Sequence, residues 1–310
     1  MSYSRTVFPI VLSAGRATDI PAFYGDWFVQ RLKEGFFLKR NPYNGDHYII
    51  KTDETELIVF WTKNPKPFIS QLSFIDQLIP DYYFQFTLND YDTLIEPRVA
   101  DIEERIETFI RLSDTIGKDK VVWRYDPVLL TGELNVDRLI EKVYALAEKL
   151  YRYTSKLVFS FIDINQYAKV DKKIKASITG IREPSPEEQS EFASKLAPLS
   201  KIFPLKIRSC SEEIDLTQFG ILKNKCIDDE LIRNLFPENR KLMDYINSSR
   251  NMKDKGQRKQ CRCIKSTDIG GYNTCMHLCV YCYANHSDHS VKSNYASYFN
   301  NPFNPGIVNR

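Results

Sequence analysis

Short apolar runs alternate along the chain with longer stretches in which apolar residues recur every three to four positions. The first kind reads as buried strand, the second as amphipathic helix. Strands are predicted over 7–12, 56–62, 82–89, 120–125, 156–162 and 205–209. Helices are predicted over 21–33, 98–116, 137–151 and 185–196. Asp19 caps the first of these, with Pro21 in its first turn. Within 98–116, Ile102, Ile106, Phe109, Ile110 and Leu112 keep near-helical spacing. Strand–helix alternation with apolar strands argues for parallel pairing, and so for an α/β fold: a (βα) barrel or partial barrel. The tail from Asn285 is polar, rich in Asn and Ser, and predicted as loop. No internal repeat or low-complexity tract interrupts the pattern.

Length and composition fit one large domain. The chain has 310 residues, with 43% hydrophobic and 13% aromatic content, which suits a well-packed core. Residues 1–260 read as the barrel-like part, and residues 261–310 as a cysteine-rich segment completing the same domain. Lys and Arg number 43 against 40 Asp and Glu, so the net charge is +3. A dedicated nucleic-acid binder is normally more lopsided. The basic run 250–260 reads as a solvated linker, with a grip on a phosphate-bearing substrate as the alternative. The apolar runs are strand-sized and too short to span a bilayer, and Met1 to Thr6 shows no signal-peptide pattern. A cytoplasmic protein is the expectation, and there clustered cysteines more often bind metal than form disulfides.

Several predicted strands end in polar sequence, where a parallel barrel places its active site. Arg16 and Asp19 follow the first strand, and Lys63 and Asn64 follow the second. Gln85, Thr87 and Asn89 alternate onto one face of the third. Arg124 and Asp126 end the fourth, and Arg208 and Cys210 the last. Such a set could grip a polar cofactor: Arg or Lys for a carboxylate, Asp or Asn for ribose hydroxyls. Arg124, Asp126 and Lys63 are the catalytic candidates; Arg16, Gln85 and Asn89 are candidates for cofactor contact.

Seven cysteines are present. Cys275, Cys279 and Cys282 form a CxxxCxxC run with Tyr281 before the last. Three thiolates at this spacing can each hold one iron of a cubane and leave the fourth iron open. A zinc site with His277, His286 or His289 is the alternative, although the run lacks the second CxxC or HxxxH usual for zinc. Cys210, Cys226, Cys261 and Cys263 remain, the number that closes an auxiliary [4Fe-4S] cluster; a zinc site and ordinary buried cysteines are the alternatives.

The cysteine run resembles the cluster loop of the radical S-adenosylmethionine (radical SAM) superfamily. That resemblance implies a [4Fe-4S] cluster held by Cys275, Cys279 and Cys282, with SAM chelated at the open iron. It implies reductive cleavage of SAM to a 5′-deoxyadenosyl radical, with Tyr281 near the adenine and a reductant protein such as a ferredoxin or flavodoxin. Along its full length the chain is also similar to a prokaryotic family of unknown function. The shared segments are SxxRxTDIP (Ser13 to Pro21), FWTKNP (Phe60 to Pro65), WRYDP (Trp123 to Pro127) and the CxC…YCYAN stretch (Cys261 to Asn285). The RYDP and YCYAN elements loosely resemble the spore photoproduct lyase branch, which acts on DNA.

Two features depart from the superfamily pattern. Its cysteine loop ordinarily follows the first barrel strand, whereas here it comes last; a circular permutation would account for this. A Gly-Gly-Glu-like SAM segment is not evident. The rival readings are an iron–sulfur or zinc module without SAM chemistry, and a radical enzyme acting on nucleic acid.

Overall fold

The computed structural model describes residues 5–41, 44–248, 253–254 and 256–308. In chain order the strands are β1 (Thr6–Val7), β2 (Val11–Ala14), β3 (Phe36–Arg40), β4 (His47–Lys51), β5 (Leu57–Thr62) and β6 (Asp81–Thr87). They continue with β7 (Val121–Val128), β8 (Lys156–Phe161), β9 (Lys206–Ser209), β10 (Leu222–Lys223) and β11 (Thr267–Asp268). The helices begin with α1 (Ile20–Phe23), α2 (Gly25–Glu34), α3 (Leu72–Leu78), α4 (Ile102–Ile116) and α5 (Val136–Leu150). Next come α6 (Ala168–Lys175), α7 (Pro186–Leu196), α8 (Leu199–Ile202), α9 (Asp229–Leu235), α10 (Arg240–Ser248) and α11 (Asp288–Asn300).

Eight strands form one sheet in the order β10-β9-β8-β7-β6-β5-β2-β11, and every pair in it is parallel. This is the expected barrel-like α/β fold. From β2 to β10, each strand lies beside the next one of this sheet in sequence. The exception is β11, last in the chain yet paired with β2. Placing β11 first would make the whole sheet sequential, the pattern a circular permutation leaves behind.

Both faces of the sheet are covered, so the strands are apolar throughout. Leu12, Ile58, Phe60, Phe84, Trp123 and Phe159 pack in the larger core with α2, α4, α5 and α7. The alternate residues Val11, Val59, Tyr83, Val122 and Val158 pack with Ile232 of α9 and Leu242 and Ile246 of α10. Each large side chain fully buried in these layers contributes about 1.5–3 kcal/mol.

Three expectations need correction. The strand over 7–12 is two strands, β1 in a small sheet with β4 and β3, and β2 in the main sheet. Pro9 between them has no N–H to continue a ladder. The helix over 21–33 breaks at Tyr24, whose φ is −133°; its hydroxyl bonds Thr274 O at 2.7 Å. The tail from Asn285 holds helix α11, whose Ser287 hydroxyl caps the Ser290 N–H. The β3–β4 hairpin was not predicted; its outward positions are polar or half-buried, which hides the strand period.

Candidate functional site

A cavity of about 1620 Å³ opens at the C-terminal ends of the strands, larger than the roughly 300–1,000 Å³ of a single-ligand pocket. All seven cysteines line it, with Arg16, Lys63, Arg124, Asp126 and Tyr281 among the other walls. Gln85 and Asn89 do not line it. Gln85 is buried and donates to Cys226 O at 2.7 Å. Asn89 is buried, donating to Asp126 O at 3.0 Å and accepting from Asp126 N at 2.9 Å. Both act as braces under the cavity floor rather than as the cofactor contacts expected of them. Thr87, from the same alternating face, does reach the cavity.

The turn after β2 sets the first wall. Gly15 has φ +98°, and a Cβ there would lie 1.9 Å from Thr18 O, so only glycine fits. The turn delivers Arg16, which pairs with Asp254 at 3.3 Å and packs over the Trp61 ring at 5.6 Å. It also places Asp19, which caps α1 and accepts from Lys63 N at 2.6 Å. The same carboxylate meets His277 Nε2 at 2.8 Å. The other His277 nitrogen lies 3.3 Å from Arg98 O. Both imidazole nitrogens are thus engaged by protein, which removes His277 as a fourth metal ligand. His286 instead sits beside Lys169 at 3.3 Å and stacks on Tyr272.

The cysteine loop follows β11 directly. Asp268 Oδ2 accepts from Ser13 Oγ and Arg16 N, both at 2.9 Å, which locks the start of the loop to β2. Thr18 and Thr274 hydroxyls meet at 2.6 Å. Asn285 donates to Cys275 O at 2.6 Å, and Val280 N donates to Ile95 O at 3.0 Å. Leu278, just before Cys279, holds φ +56°, a left-handed conformation costing a leucine about 1–2 kcal/mol. Arg98 N on His277 O and Lys173 Nζ on Cys279 O, at 3.2 and 3.0 Å, hold it there. The loop is over-determined, as strained functional backbone must be.

Beneath Tyr281 lies a buried charge network. Glu96 receives Lys63 Nζ at 2.8 Å, Asn89 Nδ2 at 3.2 Å and the Tyr281 hydroxyl. Lys63 Nζ also lies 2.9 Å from the Tyr281 hydroxyl. Burial pushes the Glu96 carboxyl up, but Lys63 and Arg105 outweigh it and hold the group below its ordinary range. Burial pushes the Cys279 thiol up to about 12, against the pull of Lys63. Glu96 escaped the sequence reading because it sits in a loop after β6 with no motif around it.

On the opposite wall, Arg124 Nη1 donates to Cys226 Sγ at 2.8 Å, and Nη2 pairs with Asp126. The register of β7 against β8 shifts between Tyr125 and Val128, which re-aims Asp126 toward the Ser160 hydroxyl. Of the basic run 250–260, Arg250, Asn251, Met252 and Lys255 lie outside the described residues; Arg258 pairs with Asp163 at 3.2 Å.

The model of a family described as a domain of unknown function, DUF1848, matches residues 11–284. The chain belongs to the DUF1848 family. The match covers every strand of the main sheet and the whole cysteine run. No curated protein matches this DUF1848 chain. Among solved structures, a candidate alpha-L-fucosidase from Bacteroides thetaiotaomicron VPI-5482 is similar at 12% identity and TM-score 0.34, over 95% of this chain and 82% of that one. A likeness at that level carries no argument about function. Among the described residues no helix is long and apolar enough to cross a membrane.

Among the described residues, no three His, Cys, Asp or Glu side chains converge to hold one metal ion. A cubane cluster asks for something else, since each thiolate binds a different iron. Cys275, Cys279 and Cys282 of this DUF1848 protein all line the cavity, as that demand requires, and His277 is turned to protein partners.

Proposed function

We propose that this chain is a radical SAM-type iron–sulfur enzyme, with Cys275, Cys279 and Cys282 holding a [4Fe-4S] cluster whose open iron takes S-adenosylmethionine. The observation that carries this reading is the place of the loop in the sheet. Because β11 pairs with β2, the cysteine loop follows the strand that would come first in a sequentially wound sheet. Its three thiols line the cavity at the strand C-terminal ends.

When bound, the reduced cluster supplies the electron that cleaves SAM to a 5′-deoxyadenosyl radical. The chain's own residues orient and shield. Lys63, held by Glu96, sets a positive charge beside Cys279, where a thiolate-bound cluster is negative. Tyr281 is fixed through its hydroxyl, which leaves its ring as a rigid wall of the cavity. Arg16 and Arg124 bring positive charge to the cavity wall, Arg16 paired with Asp254 and Arg124 with Asp126. The cavity volume leaves room for a second molecule beside SAM. The electron has to come from a low-potential donor of the ferredoxin or flavodoxin class.

The test is anaerobic reconstitution, then EPR of the dithionite-reduced protein with and without SAM and assay for 5′-deoxyadenosine. A cluster signal that shifts with SAM, together with the nucleoside, is the expected result, and Cys279→Ala should abolish both. Zinc in place of iron, or a cluster blind to SAM, ends this reading.

A further inference from the structure

The four cysteines outside the loop come from separate segments. Cys210 ends β9, Cys226 follows β10, and Cys261 and Cys263 lie in the lead-in to β11. The strands β10 and β11 are the two outer strands of the open sheet and do not pair with each other. The cysteines bridge that gap. Cys226 N and Ile227 N donate to Cys263 Sγ at 3.3 and 3.4 Å, and Ile264 N donates to Ile227 O at 3.1 Å. Cys210 Sγ and Cys226 Sγ are 3.2 Å apart. All four are buried.

Their surroundings are those of a negative charge. Four N–H donors converge on two sulfurs: Arg124 and Asn224 on Cys226, and the two backbone amides on Cys263. A neutral thiol is a weak acceptor and gains little from two donors apiece. Arg16 and Arg258 also lie within electrostatic range of these sulfurs. The Nε of Arg16 is buried without a hydrogen-bond partner, although its Nη atoms meet Asp254 and Ser266. Donors to sulfur and nearby cations are what hold and tune thiolate-bound iron.

We propose that Cys210, Cys226, Cys261 and Cys263 hold a second [4Fe-4S] cluster, closed on every iron by protein thiolate, with Arg124 as its charge-balancing neighbour. Among the described residues no three such donors converge to hold one metal ion, which speaks against a single zinc ion, and a bound cluster would spread Cys210 and Cys226 from their 3.2 Å separation. With no open iron, this centre stores an electron or ties the sheet edges together; it does not take SAM. The inference goes beyond the proposed SAM chemistry and stands without it.

The test uses the full chain, reconstituted anaerobically with iron and sulfide. The wild type should hold about eight irons, and the Cys275→Ala/Cys279→Ala/Cys282→Ala variant about four, with an EPR signal that SAM does not change. The Cys261→Ser/Cys263→Ser variant should keep about four irons and the SAM-responsive signal. If that variant does not fold, the loop variant decides alone. A loop variant without iron, or with zinc in its place, overturns the proposal. Failure of the SAM reading looks different: the wild-type spectrum ignores SAM while the loop variant still holds iron. In the loop variant, adding Arg124→Gln should move the midpoint potential of the remaining cluster to a more negative value, and Arg124→Lys should move it less. An unmoved midpoint in Arg124→Gln overturns the role given to Arg124.

Discussion

Replacing Glu96 with Ala tests the buried network beneath the cysteine loop. The carboxylate is 1% exposed and meets Lys63 at 2.8 Å, Asn89 at 3.2 Å, Arg105 at 3.9 Å and the Tyr281 hydroxyl. Alanine leaves two cations without their counter-charge. Lys63, 15% exposed, can turn toward the cavity and regain water; Arg105, 2% exposed, cannot. Removing one partner of a buried pair costs about 3–5 kcal/mol, and the partial access of Lys63 places this case near 3 kcal/mol. Urea unfolding of the cluster-free protein at neutral pH, followed by tryptophan fluorescence, measures it. Glu96→Gln keeps the shape and an acceptor, so it should lose less than Glu96→Ala. The folded carboxyl sits below its ordinary range, so its contribution is full above the unfolded value. It is lost as pH falls through the folded value, and the gap between wild type and Glu96→Gln should close in acid. A Glu96→Ala loss under about 1 kcal/mol, the range of exposed pairs, would refute the reasoning.

Two further outcomes follow from the same walls of the site. Gly15→Ala sets a Cβ 1.9 Å from Thr18 O at φ +98° and should cost about 3 kcal/mol or more; an unchanged melting temperature would show that the turn is not as described. Thr274→Val removes hydroxyl contacts to Thr18 at 2.6 Å and Gly271 O at 2.7 Å, for a loss of about 1–3 kcal/mol. Amide exchange over 273–285 should quicken in that variant, and unaltered protection would mean the hydroxyl pair does not hold the loop.

The long periodic elements were legible in the sequence because burial dictates their residues. The strands β5 to β9 and the helices α4, α5 and α7 fall where apolar period and capping residues place them. Ser185 and Glu188, for example, form a reciprocal capping box at the start of α7. What escaped was decided by distant partners. Tyr24 breaks its helix where its hydroxyl meets Thr274, α11 packs on Tyr24 through Tyr298, and Asn304 beyond the end of α11 accepts from Trp27. Polar strand ends marked the cavity, but no local pattern separates Lys63, which faces it, from Asn89, which braces it. That difference depends on Glu96 and Asp126, which lie in other segments of the chain.

The late place of β11 in the chain has a consequence for how the site is completed. The segment with Cys261, Cys263 and the cysteine loop is held in part by residues near the other end of the chain. Ser13 and Asp268 are 255 residues apart in sequence, Tyr24 and Thr274 are 250 apart, and Trp27 and Asn304 are 277 apart. Contacts so distant carry the loop-closure entropy of nearly the whole chain, and they form late compared with the local β–α units of the sheet. In a sequential barrel the loop would be placed by its own neighbours. Here it waits for the edge that β2 presents, and the same docking brings Cys263 against Cys226 across the open side of the sheet. Both cysteine sets are therefore completed by one event, the seating of β11 and its flanks. A chain that has not seated this segment can form most of its core, since that core lies between β2 and β9 and their helices, but it has neither donor set.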